Sequence, residues 1–256
     1  MIESTSPNYI HRSARLAISV AAAFFLAGSM TAKADVTLIS EIPGRDVPVI
    51  SGAAEESEKS FTPASTFKPI ITLVAFKKDK VTLRTHMACS DSYLPMPKPA
   101  DLDLQQAMYY SSNQYFGALA EKVGGEALLE MAALCHFGNA PGTQPQDLME
   151  WAHGGGILVT PLQEHAFARR LAQDELPVDK KIQDELKQAM TWPATASGRE
   201  VHGKTGSMSG IFWFNGFCRA GDKVRVITVM LNRPGATRDE AIKAFYVEAE
   251  KPFAPR

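Results

Sequence analysis

The spacing of apolar residues predicts several helices in the middle of the chain. Apolar positions recur at helical intervals in 65–77, 101–123 and 126–135. Region 101–123 is predicted to form two helices separated near "YYSSN", because serine and asparagine favour helix ends over helix interiors. A further helix is predicted to run to Leu171, with Thr160 as its N-cap and Pro161 in its first turn.

The C-terminal part of the chain has the pattern of strands instead. Segments 200–208, 211–219 and 223–231 are rich in β-forming residues, and "AGD" at 220–222 predicts a tight hairpin turn. A short β-like stretch, "VTLI", opens the region after residue 35, residues 88–100 are predicted to form a proline-rich loop, and 239–251 is predicted to be a closing helix. This order predicts a mixed α/β (α+β) fold with a helical lobe inserted between elements of an antiparallel sheet.

Residues 1–34 have the features of a secretory signal peptide. Basic residues precede the apolar stretch "LAISVAAAFFLAG" at 16–28, which is too short to span a bilayer, and "AKA" at 32–34 forms a small-x-small cleavage site. We therefore expect cleavage before Asp35, a single catalytic domain at 35–256, a secreted or periplasmic location and no stable membrane anchor. The alternative for this segment is an uncleaved membrane anchor.

Composition narrows the possible partners. The chain is 45% hydrophobic and 21% charged, an ordinary globular balance. Removing residues 1–34 takes away three basic residues and one acidic residue, so the formal net charge changes from −1 to about −3, which gives no electrostatic basis for binding nucleic acid. The three cysteines and six histidines match no metal or redox motif, so no cofactor is expected. One disulfide or three buried thiols are both compatible with the cysteine spacing, and the sequence gives no indication of oligomeric state.

The segment "TPASTFKPII" contains the first candidate for chemistry. Pro69 is tolerated only in the first turn of a helix, so Ser65 is predicted at the helix mouth with Lys68 one turn further. Residues three apart share a helix face, and burial lowers the pKa of a lysine towards that of a useful base. Ser65 is therefore a candidate nucleophile and Lys68 its candidate base; the alternative is a solvated surface lysine.

Two later segments strengthen this interpretation. "SSN" at 111–113 offers the Ser111 hydroxyl and the Asn113 amide in a break between helices, and "HGKTGS" places Lys204 on a strand edge. An S-x-x-K motif followed by S-D-N-like and K-T-G motifs occurs in serine β-lactamases and penicillin-binding proteins. Here the three motifs stand in that order on elements of the expected type.

The chain thus resembles the transpeptidase domain of penicillin-binding proteins from about residue 61 to 231, through "PASTFKP", "YYSSNQYF", "GGILVTPLQ" and "GKTGS". Its short length and "HFGN" at 136–139 resemble the related class D β-lactamases. The resemblance implies a five-stranded antiparallel sheet flanked by helices with an all-helical lobe. It also implies a serine acyl-enzyme that reacts with β-lactams or with the D-Ala-D-Ala stem peptides of peptidoglycan.

The resemblance also implies the roles of individual residues. Ser65 would be acylated, Lys68 would be its base, and Ser111 would supply a second hydroxyl in the proton path. Substrate binding would involve Asn113, Thr205 with Lys204, Gly206, Ser207 and, just before the last helix, Arg238. By analogy the oxyanion hole is formed by the backbone N–H groups of Ser65 and Ser207. For Arg238 the alternative is a solvated charge at a helix start.

The chain departs from class D enzymes at one informative position. Asn113 stands where those enzymes usually have valine, in a pocket whose apolar character favours a carbamylated lysine. We therefore expect Lys68 to act as an unmodified amine. Trp151 lies near the position where those enzymes cover the carbamate with tryptophan, but packing of a loop explains it equally well. Three functions are therefore considered: a transpeptidase-like penicillin-binding enzyme, with a class D β-lactamase and a β-lactam sensor that stays acylated as the alternatives.

Overall fold

The computed structural model describes residues 36–139 and 147–253. The predicted signal peptide, residues 1–34, lies outside the described residues. No helix in the described ranges is both long enough and apolar enough to cross a bilayer. The three cysteines, for which the sequence left pairing open, are buried free thiols.

Strands from both ends of the described chain form one antiparallel sheet. Its members are β1 (Val36–Glu41), β2 (Val49–Gly52), β5 (Thr191–Trp192), β6 (Glu200–Met208), β7 (Ile211–Ala220) and β8 (Lys223–Asn232), in the order β2-β1-β8-β7-β6-β5. The three strands predicted near the C-terminus are confirmed to within one residue. The sheet has six strands where the resemblance implied five, and β5, with two residues, is too short for an alternating pattern to predict.

Seven helices are found in the described ranges. They are α1 (Lys68–Lys77), α2 (Leu104–Tyr110), α3 (Asn113–Val123), α4 (Gly125–Leu134), α5 (Pro161–Ala172), α6 (Lys180–Ala189) and α7 (Arg238–Ala249). Short 3₁₀ turns at Ala54–Glu56, Ala64–Phe67 and Leu148–His153 complete the helical elements. The predicted N-cap at Thr160 is confirmed, since its Oγ1 accepts a hydrogen bond from Gln163 N at 3.1 Å.

The structure corrects three local predictions. Residues 88–100 are not entirely loop, because β3 (Met87–Cys89) and β4 (Ala100–Leu102) pair across that segment as a small hairpin. For the same reason the helix predicted from residue 101 begins only at α2, where Asp103 forms a capping box with Gln106. The third difference is helix α6, for which no helix was predicted; the buried Gln183 side chain in it bonds to backbone groups of the preceding loop.

Two apolar clusters lie on opposite faces of the sheet. One contains Phe167 and Leu171 of α5 together with α1, whose residues 68–76 are all buried. The other contains Ala241 and Phe245 of α7. A helix that is apolar all round is expected at the centre of a fold rather than on its surface. Helix α1 therefore holds its first turn, with Ser65 just before it, in a rigid position beside the edge of β6.

Candidate active site

Ser65 lies in a tight turn that leads directly into α1. The turn is a 3₁₀ helix, Ala64–Phe67, and Pro69 follows in the first turn of α1 as the sequence predicted. Ala64 has φ +49°, a left-handed conformation that is strained for any residue with a Cβ atom. Strained backbone of this kind persists only where its surroundings hold it, and it is frequent at functional sites. Ser65 itself is 8% exposed, so its hydroxyl is accessible only from the cleft described below.

The Lys68 side chain is fully buried and surrounded by oxygen atoms. Its Nζ lies 2.9 Å from Ser65 Oγ, 2.8 Å from the carbonyl oxygen of Ser111, 3.1 Å from Ser111 Oγ and 2.8 Å from Asn113 Oδ1. The alternative of a solvated surface lysine is therefore wrong. Burial lowers the pKa of Lys68 to about 7, although the Asp91 carboxylate partly opposes that shift. An amine with this pKa is about half neutral at pH 7 and can accept the Ser65 proton.

Ser111 connects the two buried lysines. It ends α2 in a left-handed conformation, φ +63°, and Ser112 caps the start of α3, so the predicted break between two helices near "YYSSN" is confirmed. Ser111 Oγ lies 3.1 Å from Lys68 Nζ and 2.9 Å from Lys204 Nζ. A hydroxyl between two amines can receive a proton from one and pass its own to a third group.

Asp91 and Tyr93, which the sequence analysis did not single out, fix the "SSN" segment. The Asp91 carboxylate accepts hydrogen bonds from the backbone N–H of Asn113 at 3.0 Å and from the Ser112 hydroxyl. The Tyr93 hydroxyl donates to the Ser111 carbonyl at 2.9 Å. A carboxylate at the N-terminus of α3 is favoured by the helix dipole. Both residues lie in the proline-rich segment, where the only available signal was an acidic residue among prolines.

Strand β6 forms the opposite wall of the site. Lys204 Nζ donates to the Thr205 carbonyl at 2.9 Å as well as to Ser111. Burial and the nearby charges of Lys68 and Arg238 lower the pKa of Lys204 well below its ordinary value. Gly206 has a steric role, since a Cβ atom there would lie 2.6 Å from the Pro63 carbonyl oxygen. The strand therefore packs directly on the turn that carries Ser65.

Arg238 points into the same cleft. Its Nε donates to Thr205 Oγ1 at 3.1 Å, and its guanidinium lies 5.6 Å from the centre of the Trp192 ring. The side chain is half-buried at the start of α7. The geometry thus favours a ligand-facing guanidinium over a solvated helix-start charge.

These groups surround one open cleft of about 590 Å³. Its lining includes Ser65, Tyr93, Tyr109, Ser111, Asn113, His153, Thr205, Ser207 and Arg238. The sequence-predicted residues therefore come together around a single cavity, except that Lys68, Lys204 and Gly206 lie behind its surface.

His153 is a cleft residue that the sequence analysis missed. It ends the 3₁₀ turn at 148–153, and its buried Nδ1 has no hydrogen-bond partner among the described residues. Burial, followed by the positive charge of Lys68, lowers the pKa of His153. The neighbouring Trp151 is fully buried, with its ring 5.9 Å from that of Phe67, as expected for packing of this loop.

Comparison with known proteins agrees with the motifs. Over 175 residues the chain is 27% identical to the regulatory protein BlaR1 of Bacillus licheniformis, covering 66% of this chain and 28% of that protein. Over 165 residues it is 27% identical to the probable β-lactamase YbxI of Bacillus subtilis, covering 62% of this chain and 60% of that protein. The chain therefore spans less than two thirds of either relative.

A solved structure extends the comparison to the fold. The class D β-lactamase YbXI from Nostoc superposes with a TM-score of 0.71 at 24% identity, covering 83% of this chain and 90% of that one. The family described as "Penicillin binding protein transpeptidase domain" matches residues 33–247. Because this match takes in most of the sequence, the chain belongs to the penicillin-binding protein transpeptidase domain family.

Proposed function

We propose that this protein is a penicillin-binding serine acyltransferase that forms an acyl-enzyme on Ser65. The observation that carries the proposal is the 2.9 Å contact between Ser65 Oγ and the buried Nζ of Lys68. A serine hydroxyl becomes a nucleophile when a neighbouring base takes its proton, and Lys68 has both the position and the pKa for that task.

The proposed reaction begins with proton transfer from Ser65 Oγ to Lys68 Nζ. The serine oxygen then bonds to the carbonyl carbon of a β-lactam or of a D-Ala-D-Ala peptide, and the carbon–nitrogen bond of that amide breaks. The leaving nitrogen takes its proton from Ser111 Oγ, which is replenished from Lys68 across 3.1 Å. By family resemblance the backbone N–H groups of Ser65 and Ser207 stabilise the oxyanion.

The substrate carboxylate is proposed to bind at the β6 side of the cleft. Thr205 and Arg238 already share a hydrogen bond there, and Lys204 lies directly behind them. A guanidinium and a hydroxyl side by side match the geometry of a carboxylate. Both β-lactams and D-Ala-D-Ala peptides carry such a group close to the reacting amide.

The second candidate function is hydrolysis, as in class D β-lactamases. It requires a base that activates water after acylation. His153 favours this candidate, because its ring lines the cleft with Ser65 and its lowered pKa keeps the imidazole neutral at pH 7. Asn113 opposes the carbamate route to the same reaction, because its amide oxygen accepts a hydrogen bond from Lys68. A third candidate, a β-lactam sensor that remains acylated, has support from the similarity to the regulatory protein BlaR1.

Intact-mass measurement after mixing with benzylpenicillin tests the proposal and separates the candidates. A lasting adduct is expected for a penicillin-binding protein or a sensor, whereas loss of substrate with little adduct is expected for a β-lactamase. The control is Ser65→Ala, which should bind no penicillin covalently and keep the same melting temperature within about 2 °C. Labelling of this variant at the unchanged rate would refute the nucleophile assignment.

We also propose that the protein is exported and acts on peptidoglycan outside the cytoplasm. The support is the signal-like sequence of residues 1–34, and a stem peptide is the substrate that such a location would provide.

A further inference from the structure

A chain of buried polar side chains runs from the sheet to the turn that carries Ser65. It comprises Glu41 on β1, Glu164 and His165 on α5, Asn215 on β7, Thr228 on β8 and Thr66 beside the nucleophile. Each of these residues is at most 6% exposed. The acylation chemistry proposed above uses none of them.

The orientation of Asn215 can be assigned from its contacts. Its Nδ2 lies 2.8 Å from the backbone carbonyl oxygen of Glu164, a group that can only accept a hydrogen bond. The atom facing that carbonyl must therefore be the amide nitrogen. The same nitrogen donates its second hydrogen to Glu164 Oε2 at 2.7 Å, and Asn215 Oδ1 accepts from Thr228 Oγ1 at 2.7 Å.

The hydrogen on Thr66 can be assigned in the same way. Thr66 Oγ1 lies 2.7 Å from the Pro63 carbonyl oxygen and is also in close contact with Glu164 Oε1. The hydroxyl has one hydrogen, and a contact of this length to a carbonyl oxygen requires it. Glu164 Oε1 must then carry a hydrogen itself, so that Glu164 is a neutral carboxylic acid. Burial has the same effect, because it raises the pKa of Glu164 to about 8 despite its hydrogen bonds with Thr66 and Asn215.

We propose that Glu164 is a positioning residue that holds the strained turn before Ser65 by donating a hydrogen bond to Thr66. The Pro63 carbonyl oxygen accepts hydrogen bonds from both the hydroxyl and the backbone N–H of Thr66, the latter at 3.1 Å. These two bonds close the turn whose middle residue, Ala64, is in the left-handed conformation. The turn sets the direction of the Ser65 N–H and hydroxyl. Loss of the Glu164 contact therefore reduces the acylation rate, although Glu164 itself does not contact the substrate.

Two further titratable side chains, His165 and Glu41, are connected to the Glu164 carboxyl group through the hydrogen bonds of Asn215 and Thr228. His165 Nδ1 lies 3.2 Å from Thr228 Oγ1, and its Nε2 lies 3.2 Å from Glu41 Oε2. Since Thr228 gives its hydrogen to Asn215, His165 Nδ1 must donate to Thr228. His165 and Glu41 are therefore the ionisable side chains at the far end of this hydrogen-bonded network from Glu164.

The test compares Glu164→Gln with Glu164→Leu. Glutamine reproduces the neutral acid, because its amide donates to Thr66 and accepts from Asn215, whereas leucine does neither. We expect the acylation rate constant for a fluorescent penicillin to stay within about threefold of wild type for Gln and to fall about tenfold for Leu, the equivalent of one buried hydrogen bond. If the Leu variant does not fold, Thr66→Val takes its place: it keeps the side-chain shape but removes the hydroxyl that contacts both Glu164 and the Pro63 carbonyl, so the acylation rate constant should fall about tenfold or more. Glu121→Gln, on the exposed surface of α3, is the matched control.

A second readout does not depend on the proposed function. The folded protein keeps a proton on Glu164 that the unfolded chain releases above its ordinary pKa of 4.5, so this residue lowers stability as pH rises from about 4.5 to about 8. That part of the pH dependence of the melting temperature should be absent in Glu164→Gln, as should the infrared carbonyl band of a protonated carboxyl group. Absence of penicillin labelling in wild type would refute the acyl-enzyme proposal and leave these two measurements valid. The positioning role is refuted if Gln loses activity as Leu does, if Leu acylates like wild type, or if the infrared band and pH dependence persist in Gln.

Discussion

The bond between Lys68 and Asn113 allows a quantitative prediction for Asn113→Val. Lys68 Nζ donates to Asn113 Oδ1 at 2.8 Å in a fully buried site. A hydrogen bond from a charged group contributes about 1.5–3 kcal/mol and a neutral one about 0.5–1.5 kcal/mol, so this contact favours the ammonium over the amine by about 1 kcal/mol. At 1.36 kcal/mol per pKa unit, its loss lowers the pKa of Lys68 by about 0.7 unit, from about 7 to roughly 6.3.

The pH dependence of acylation measures this shift. The rate constant for labelling by a fluorescent penicillin should rise with pH as Lys68 loses its proton, and the midpoint of that rise should move down by about 0.7 unit in Asn113→Val. Asn232→Val, at the exposed end of β8, should leave the midpoint unchanged. A midpoint that stays fixed or moves up would show that Asn113 does not set the protonation of Lys68.

The same variant tests whether Lys68 carries carbon dioxide. A carbamate forms on a neutral amine and persists in an apolar pocket, so carbon-13 NMR with labelled bicarbonate should show no carbamate signal in wild type. A signal is expected to emerge in Asn113→Val, where valine removes the amide contact of Lys68 and makes the pocket less polar. A strong wild-type signal that disappears in Lys68→Ala, together with turnover stimulated by bicarbonate, would refute the unmodified-amine interpretation and favour the class D mechanism.

Three further predictions concern Lys68, Arg238 and the N-terminus. The free energy of unfolding of Lys68→Met should rise less than that of wild type between about pH 7 and pH 10.5, because the unfolded chain holds a proton on Lys68 there that the folded protein has released. Lys204, whose pKa is also lowered, should keep its own part of the rise. A rise equal to that of wild type in urea titrations would contradict the assignment to Lys68. Arg238→Gln should weaken binding of penicillin about tenfold while leaving its methyl ester unaffected, and equal losses for both would exclude a carboxylate contact. N-terminal sequencing of exported protein should begin at Asp35, and an intact Met1 chain in membranes would contradict cleavage.

The sequence predicted those elements whose pattern is long and regular. Strands β6 to β8 and helices α1 and α5 were predicted close to their observed bounds, because each has nine or more residues, the strands are rich in β-forming residues, and proline or threonine marks the helix starts. Strand β5, with two residues, and the β3–β4 hairpin, with three in each strand, are too short to show a period and are defined only by pairing across a loop. No local pattern contains that information.

Within the site, the motifs located the residues assigned to the reaction, but not those that hold them in place. The three-residue spacing linked Ser65 to Lys68, and the K-T-G motif of the family that the chain resembles added Lys204. Asp91 has no motif of its own and acts by accepting the backbone N–H of Asn113, which only the folded chain places beside it. His153 lies in a glycine-rich bend, where composition predicts a turn and nothing about chemistry.

The buried acid beside Thr66 has a sequence signal that is visible once the elements are known. On α5 the positions of Glu164, Phe167 and Leu171 share one helix face, and that face is otherwise apolar. On β7, Asn215 lies on the same face as Trp213 and Phe217. On β8, Thr228 lies on the same face as Val226 and Met230, so both polar residues occupy inward positions.

A polar residue at one core position is a defect, whereas three that meet can satisfy one another. Asn215 and Thr228 are opposite each other in the β7–β8 register, and Glu164 closes the group from α5. Burying these groups without partners would cost about 1–3 kcal/mol each, and the hydrogen bonds among them offset that cost. Glu164 makes one further contact, with the Thr66 hydroxyl, and through it the buried polar group supports the turn that presents Ser65.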